Sequence, residues 1–262
     1  MIPCIPDFFP DELIGSACAR MIKRLRVHGS DIFHLLFGLP NATISWDLPQ
    51  HLDHFSSIYP PWHTMDLYEL IEGHTLYPFY RIFQHRMMFP DNIGHYNRRN
   101  FIPEIQDTRY LPSVLRYCPS CAIEDRSRCG ERYWHRAHQL PGVYLCPQHN
   151  VFLEKTTVPL WSMTAYQCQQ ASAEQVIGET PGRLIDSANP EDRELLRIAH
   201  VMVPLLNPQK GNGLVRTSER KQLRYLVEES FRITIGKSHL LPMHKRVIPP
   251  SFVGQAWTQH LV

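Results

Sequence analysis

The chain has little charge to spare. Its 27 lysines and arginines stand against 25 acidic residues, a formal net charge of +2 over 262 residues, with a pI near 8.2. Net charge alone therefore gives no attraction to nucleic acid, and any basic surface has to be local. Long uncharged apolar runs are missing too, so no segment is suited to span a bilayer as a helix and no membrane partner is expected. The opening MIPCIPDFFPDELIGS lacks a basic stretch followed by an apolar one, which argues against a secretory signal and for the cytoplasm. Cysteine is scarce and odd in number: Cys4, Cys18, Cys118, Cys121, Cys129, Cys146 and Cys168 do not suit a paired disulfide framework.

Several enzyme signatures are absent as well. There is no HExxH, and no HxE precedes the first cysteine clasp, which excludes the usual metalloprotease and zinc-deaminase layouts. GlyLysSer at 236–238 resembles the end of a phosphate loop, but the upstream glycine position holds Phe231. No nucleophile falls in a recognisable motif, so a binding or adaptor protein is expected rather than an enzyme.

What is there begins with metal chemistry. Cys118 and Cys121 form a CxxC clasp, Cys146 and His149 a CxxH clasp, and twenty-four residues separate the two. Each short spacing lets one tight turn aim two ligands at one ion, and thiolates with a neutral imidazole are ligands that zinc favours. Four protein ligands leave no position for a reacting water, so one structural Zn2+ is expected. Most of the fifteen histidines are surface or packing residues; His138 is placed behind the ligands rather than among them. Tyr133 and Trp134 are expected to pack on the metal knuckles.

Hydrophobic periodicity supplies the frame. From Pro10, Leu13, Ile14, Ala17, Cys18, Met21, Ile22 and Leu25 recur at helical spacing, with Asp11 and Glu12 expected in the first turn. Ser30 reads as the N-cap of a second helix that ends at Gly38; further short helices are expected over Pro49 to Ile58 and from Thr64. A linker covers roughly Pro90 to Pro112, and Ala171 to Ser187 read as a polar connection. Asn189 caps a helix with Pro190 at its first position, Pro204 ends it, and a last helix runs from about Ser218. The expected fold is mostly α: an N-terminal, helix-turn-helix-like domain over 1–110, a zinc-ribbon module with short β-strands over 111–158, and C-terminal helices over 159–262. Arg20, Lys23 and Arg24 on one face of the first helix, and Arg98 and Arg99 in YNRRN, are the candidate contacts to DNA phosphates; an ordinary solvated face for the former and a polar loop for the latter stand as the alternatives.

Several segments together resemble the TniQ/TnsD family of transposition target-site selectors: PDELIGSACAR at 10–20, HTLYPFY at 74–80, RYCPSC at 116–121 and GERYWHRAHQLPGVYLCPQHNVFL at 130–153. The HTLYPFY stretch and a weaker likeness around ELLRIAHVMVPLLN favour the TnsD branch, whose members usually continue beyond this length; the resemblance thus implies a chain truncated at its C-terminus. The family's zinc ligands fall on Cys118, Cys121, Cys146 and His149. The resemblance also implies a non-catalytic protein that recognises double-stranded DNA, directly or by docking on an RNA-guided effector complex, and recruits an AAA+ ATPase regulator of the transposase. A zinc-ribbon transcription regulator without a transposition partner is the alternative, and a zinc hydrolase is a third class.

Overall fold

The computed structural model describes residues 7–39, 41, 43–59, 65–82, 112–160, 163–179, 181–207 and 217–235. Helix α1, Ile14–Leu25, buries the expected stripe of Ile14, Ala17, Cys18, Met21 and Ile22. It starts later than its periodicity suggests. Asp11 adopts a left-handed φ of 59°, and Glu12 forms an isolated bridge with His135, so neither acid lies in the first turn. Lys23 and Arg24 occupy the last turn, where positive charge complements the helix dipole.

Helix α2, Gly29–Phe37, is preceded by His28 rather than Ser30 and ends at Gly38, whose φ of 74° lets its N–H close on the His34 carbonyl. Strand β1, Thr43–Ile44, leads to α3, Leu52–Ser57, and α4, Leu67–His74. Asp66 caps α4 by accepting from the Glu69 N–H at 2.7 Å, while Thr64, the expected cap, lies outside the described residues. Helix α5 spans Tyr77–Arg81.

The central segment carries β2, Val114–Tyr117; α6, Pro119–Cys129; β3, Leu145–Cys146; β4, Val151–Phe152; and β5, Glu154–Pro159. Strand β2 pairs antiparallel with β5 (Arg116 opposite Lys155, Tyr117 opposite Glu154), and β3 with β4 (Cys146 opposite Val151). Next come β6, Met163–Thr164, and α7, Ala165–Gln170, the latter opened by a reciprocal cap between Thr164 and Gln167. Strand β6 pairs with β1, so the chain after the central segment is stitched back to the first helices.

The stretch expected to be a polar connection holds α8, Ala173–Val176, and buries Ala171, Ala173 and Ile177. Helix α9, Pro190–Met202, begins as expected, with the Asn189 side chain accepting from the Glu191 N–H at 2.9 Å, and gives way to a 3₁₀ turn, Val203–Leu206, at Pro204. Helix α10, Thr217–Ile235, turns Leu223, Leu226 and Val227 inward. The expected linker up to residue 111 and the tail from 236 lie outside the described residues.

Among the described residues two large apolar cores stand beside a small cluster of Cys118, Cys121, Cys146 and Val151. The larger joins α1–α4 to Leu115, Tyr117, Ala122, Trp134, Met163, Cys168 and Ile177; the smaller joins α5 to Leu140, Val143, α9 and α10. Both cross the boundaries drawn at residues 110 and 158. Trp134 packs in the larger core instead of on the knuckles. It donates from Nε1 to the Ala171 carbonyl at 2.8 Å and meets Trp46 edge-on, with centroids 6.5 Å apart. Gly15 makes this crossing possible, since a Cβ there would stand 2.5 Å from the Trp46 ring. The fold is thus mostly helical with short antiparallel strand pairs, and its central Cys/His cluster fits a zinc-ribbon module. Among the described residues no helix is long and apolar enough to cross a membrane.

Candidate metal centre

Local backbone chemistry builds each clasp. Strand β2 delivers Cys118 to the N-cap of α6, where its Sγ accepts from the Cys121 N–H at 3.5 Å, and Pro119 sits at a first-turn position that needs no donor. Cys146 ends β3. The following turn closes through the Asn150 N–H on the Cys146 carbonyl at 2.9 Å, with Asn150 at a left-handed φ of 54°, and carries His149 back over the first clasp.

The four ligand atoms lie within 4.8 Å of one another. His149 Nδ1 is 3.6 Å from Cys118 Sγ, 3.3 Å from Cys121 Sγ and 3.6 Å from Cys146 Sγ; Cys121 and Cys146 Sγ are 3.7 Å apart. The three cysteines are buried and His149 half-buried. No S–S bond joins them. Hydrogen bonds with Cys118 and then Cys121 pull the Cys146 thiol below its ordinary range despite burial, and the contacts with Cys118 and then Cys146 push Cys121 above it, so any charge the cluster carries is shared among its sulfurs. A buried group of soft donors sharing that charge is suited to one metal ion.

Glu124, which sequence reasoning missed, orients the histidine. Its Oε1 stands 2.9 Å from His149 Nε2, so the ring proton sits on Nε2 and the Nδ1 lone pair faces the sulfurs. The usable signal was position: Glu124 lies three residues after Cys121 on α6, one turn along the same face.

The candidate DNA contacts fare unevenly. Arg20 does not share the solvent face of α1. Only 2% exposed, it is paired with Glu12 and Glu131, which removes its guanidinium from the surface. Lys23 is exposed; Arg24 is exposed and paired with Glu131. Arg26 and His28 continue the exposed basic end of the helix. Arg98 and Arg99 lie outside the described residues.

The family-like motifs act as internal joints. From PDELIGSACAR, the Ser16 hydroxyl donates to Glu12 at 2.7 Å and accepts from the Trp134 N–H at 3.0 Å. From HTLYPFY, His74 Nδ1 donates to the Glu12 carbonyl at 2.8 Å, and the Tyr80 hydroxyl donates to Asp47 at 2.7 Å. Arg136 in turn donates to Asp11 Oδ1 and to the carbonyls of Glu72 and Thr75.

A helical frame locked onto a three-cysteine, one-histidine cluster defines the class: a knuckle protein whose centre can hold a metal ion. Residues 3–153 match the TniQ family model, and the chain belongs to the TniQ family. It is similar to the Transposon Tn7 transposition protein TnsD of Escherichia coli, with 25% identity over 160 residues. The match takes in 56% of this chain and 30% of that protein, so the chain spans less than a third of the relative's length.

Proposed function

We propose that this protein is a target-site selector for a heteromeric bacterial DNA transposon, working in the cytoplasm. It binds double-stranded DNA and recruits an AAA+ ATPase regulator that in turn engages the transposase. The observation that carries this reading is the family match over residues 3–153, a span that contains the complete metal cluster, together with the similarity to a Tn7 transposition protein.

The ion is zinc in this reading. Zn–S bonds of about 2.3 Å and Zn–N bonds of about 2.0–2.1 Å give tetrahedral edges of about 3.8 Å between sulfurs and about 3.5 Å between sulfur and nitrogen. The 3.7 Å between the Cys121 and Cys146 sulfurs and the 3.3–3.6 Å from the three sulfurs to His149 Nδ1 agree with those edges, and the whole quartet lies within 4.8 Å. Zinc supplies the closure of the two knuckles, and four protein ligands leave no open position for a hydrolytic water, which favours a structural role over a zinc hydrolase.

Lys23, Arg24 and Arg26 at the end of α1 form the proposed phosphate-contacting surface, with Arg98 and Arg99 as further candidates. Recognition through an RNA-guided effector complex is the other route to a target. A zinc-ribbon transcription regulator would bind DNA without the ATPase. Pull-down of the ATPase regulator and gel shift on candidate target DNA, both with zinc-loaded protein, test the reading: it fails if neither interaction is found, and DNA binding alone would favour the transcription regulator.

A further inference from the structure

A fifth polar side chain stands against the cluster and belongs to neither clasp. His138, on the 3₁₀ turn Ala137–Gln139, is only 3% exposed, and its Nε2 lies 3.7 Å from Cys121 Sγ. The ring is also within interaction range of the Cys146 thiol. Its other nitrogen, Nδ1, is buried with no hydrogen-bond partner.

The turn that carries it is clamped. Gln139 accepts from the Arg116 N–H at 2.9 Å and donates to the Arg116 carbonyl at 2.8 Å, so it docks on β2, the strand that delivers Cys118. At the other end the Ala137 N–H donates to Asp11 at 3.0 Å. The His138 ring lies 4.8 Å from that of His135, which Asp125 holds at 2.7 Å. His138 is therefore presented to the sulfurs by backbone fixed on both sides.

The position selects one tautomer. A proton on Nδ1 would leave a buried donor without an acceptor and turn the Nε2 lone pair toward sulfur lone pairs. A proton on Nε2 meets a thiolate. Nor does His138 compete to be a ligand: the donor atoms that all lie within 4.8 Å of one another are those of Cys118, Cys121, Cys146 and His149, with His138 Nε2 outside that group and 3.7 Å from Cys121 Sγ. Three thiolates and one neutral imidazole around a divalent cation carry a net charge of −1, which is costly in a buried site unless a donor spreads it.

We propose that His138 is a positioning residue of the metal centre: its neutral ring donates Nε2–H to the Cys121 thiolate, with the Cys146 thiolate alongside, drawing charge from the sulfurs and slowing loss of the ion. This rests on the zinc reading above. The test uses the full chain loaded with ¹¹³Cd. A scalar coupling between the metal and the His138 Nε2 proton, passing through sulfur, is expected in the unsubstituted protein. In His138→Phe a chelator competition should show affinity lower by roughly 10- to 100-fold, with Co2+ absorption still that of a three-sulfur, one-nitrogen site, and His138→Gln should regain part of the loss through its amide N–H. One bound cadmium with four ligands but no such coupling, or equal affinity in His138→Phe, would overturn the role of His138 alone. A direct cadmium–nitrogen coupling to His138 would make it a ligand and also overturn the proposal. A folded chain that takes up no metal would remove the zinc reading together with it.

Discussion

Arg20 and Glu12 form a two-pronged ion pair inside the protein, Nε to Oε1 and Nη2 to Oε2, each at 2.8 Å. The pair does more than neutralise two charges. Arg20 also donates to the Asp7 carbonyl, reaches Glu131 and lies 4.0 Å over the Phe9 ring, so one guanidinium gathers the N-terminal segment, α1 and the chain leading to Trp134.

Arg20→Met should therefore cost about 3–5 kcal/mol in urea melts, because it strands a buried carboxylate. Arg20→Met combined with Glu12→Gln should recover part of that loss. A single substitution that melts like the parent would show that the pair contributes nothing net.

Cys118→Ser should abolish stoichiometric zinc and lower the melting temperature. Structural zinc in small domains contributes on the order of 10 kcal/mol near neutral pH, more than a small domain usually has in reserve. Elemental analysis and calorimetry on the same sample check it, and unchanged zinc content would count against the ligand assignment.

Lys23 and Arg26 are exposed, with no ion-pair partner among the described residues. Replacing both by alanine should leave the fold intact and weaken DNA binding. If each contacts one phosphate, the slope of log K against log salt should fall by about 1 for each residue lost. Fluorescence anisotropy across a salt series reads this directly, and an unchanged slope would exclude this end of α1 as a phosphate contact.

His74 offers a pH test. Burial lowers its pKa from 6.5 to about 4, although its hydrogen bond to the Glu12 carbonyl pulls the other way. The folded state thus prefers the neutral ring. That contribution is complete above about pH 6.5 and drains away as pH falls toward about 4, by up to about 3 kcal/mol. In His74→Phe, which has nothing to titrate there, stability should fall less steeply over the same window; equal slopes in the two proteins would contradict it.

Much of this was legible in residue spacing. The quartet Cys118, Cys121, Cys146 and His149 could be read because a CxxC or CxxH turn dictates its own geometry, whatever surrounds it. The α1 stripe and the Asn189–Pro190 helix start were legible for the same local reason. Arg20 was not. Helical spacing places it beside Lys23 and Arg24, and only the distant Glu131, together with an inward-turned Glu12, makes the first half of that face an interior one. Trp134 was drawn away from the knuckles by Trp46 and the Ala171 carbonyl, contacts that span tens of residues. Ala171, Ala173 and Ile177 carry too little hydrophobic pattern to reveal that they cover the same core.

Because the larger core is assembled from α1–α4, the central segment and α7–α8 together, the polypeptide should resist dissection. A fragment ending near residue 110 would leave the inner surfaces of its helices wet, and one beginning there would expose Trp134. Any expression strategy that treats the knuckle segment as a separable bead would yield sticky halves rather than a working miniature.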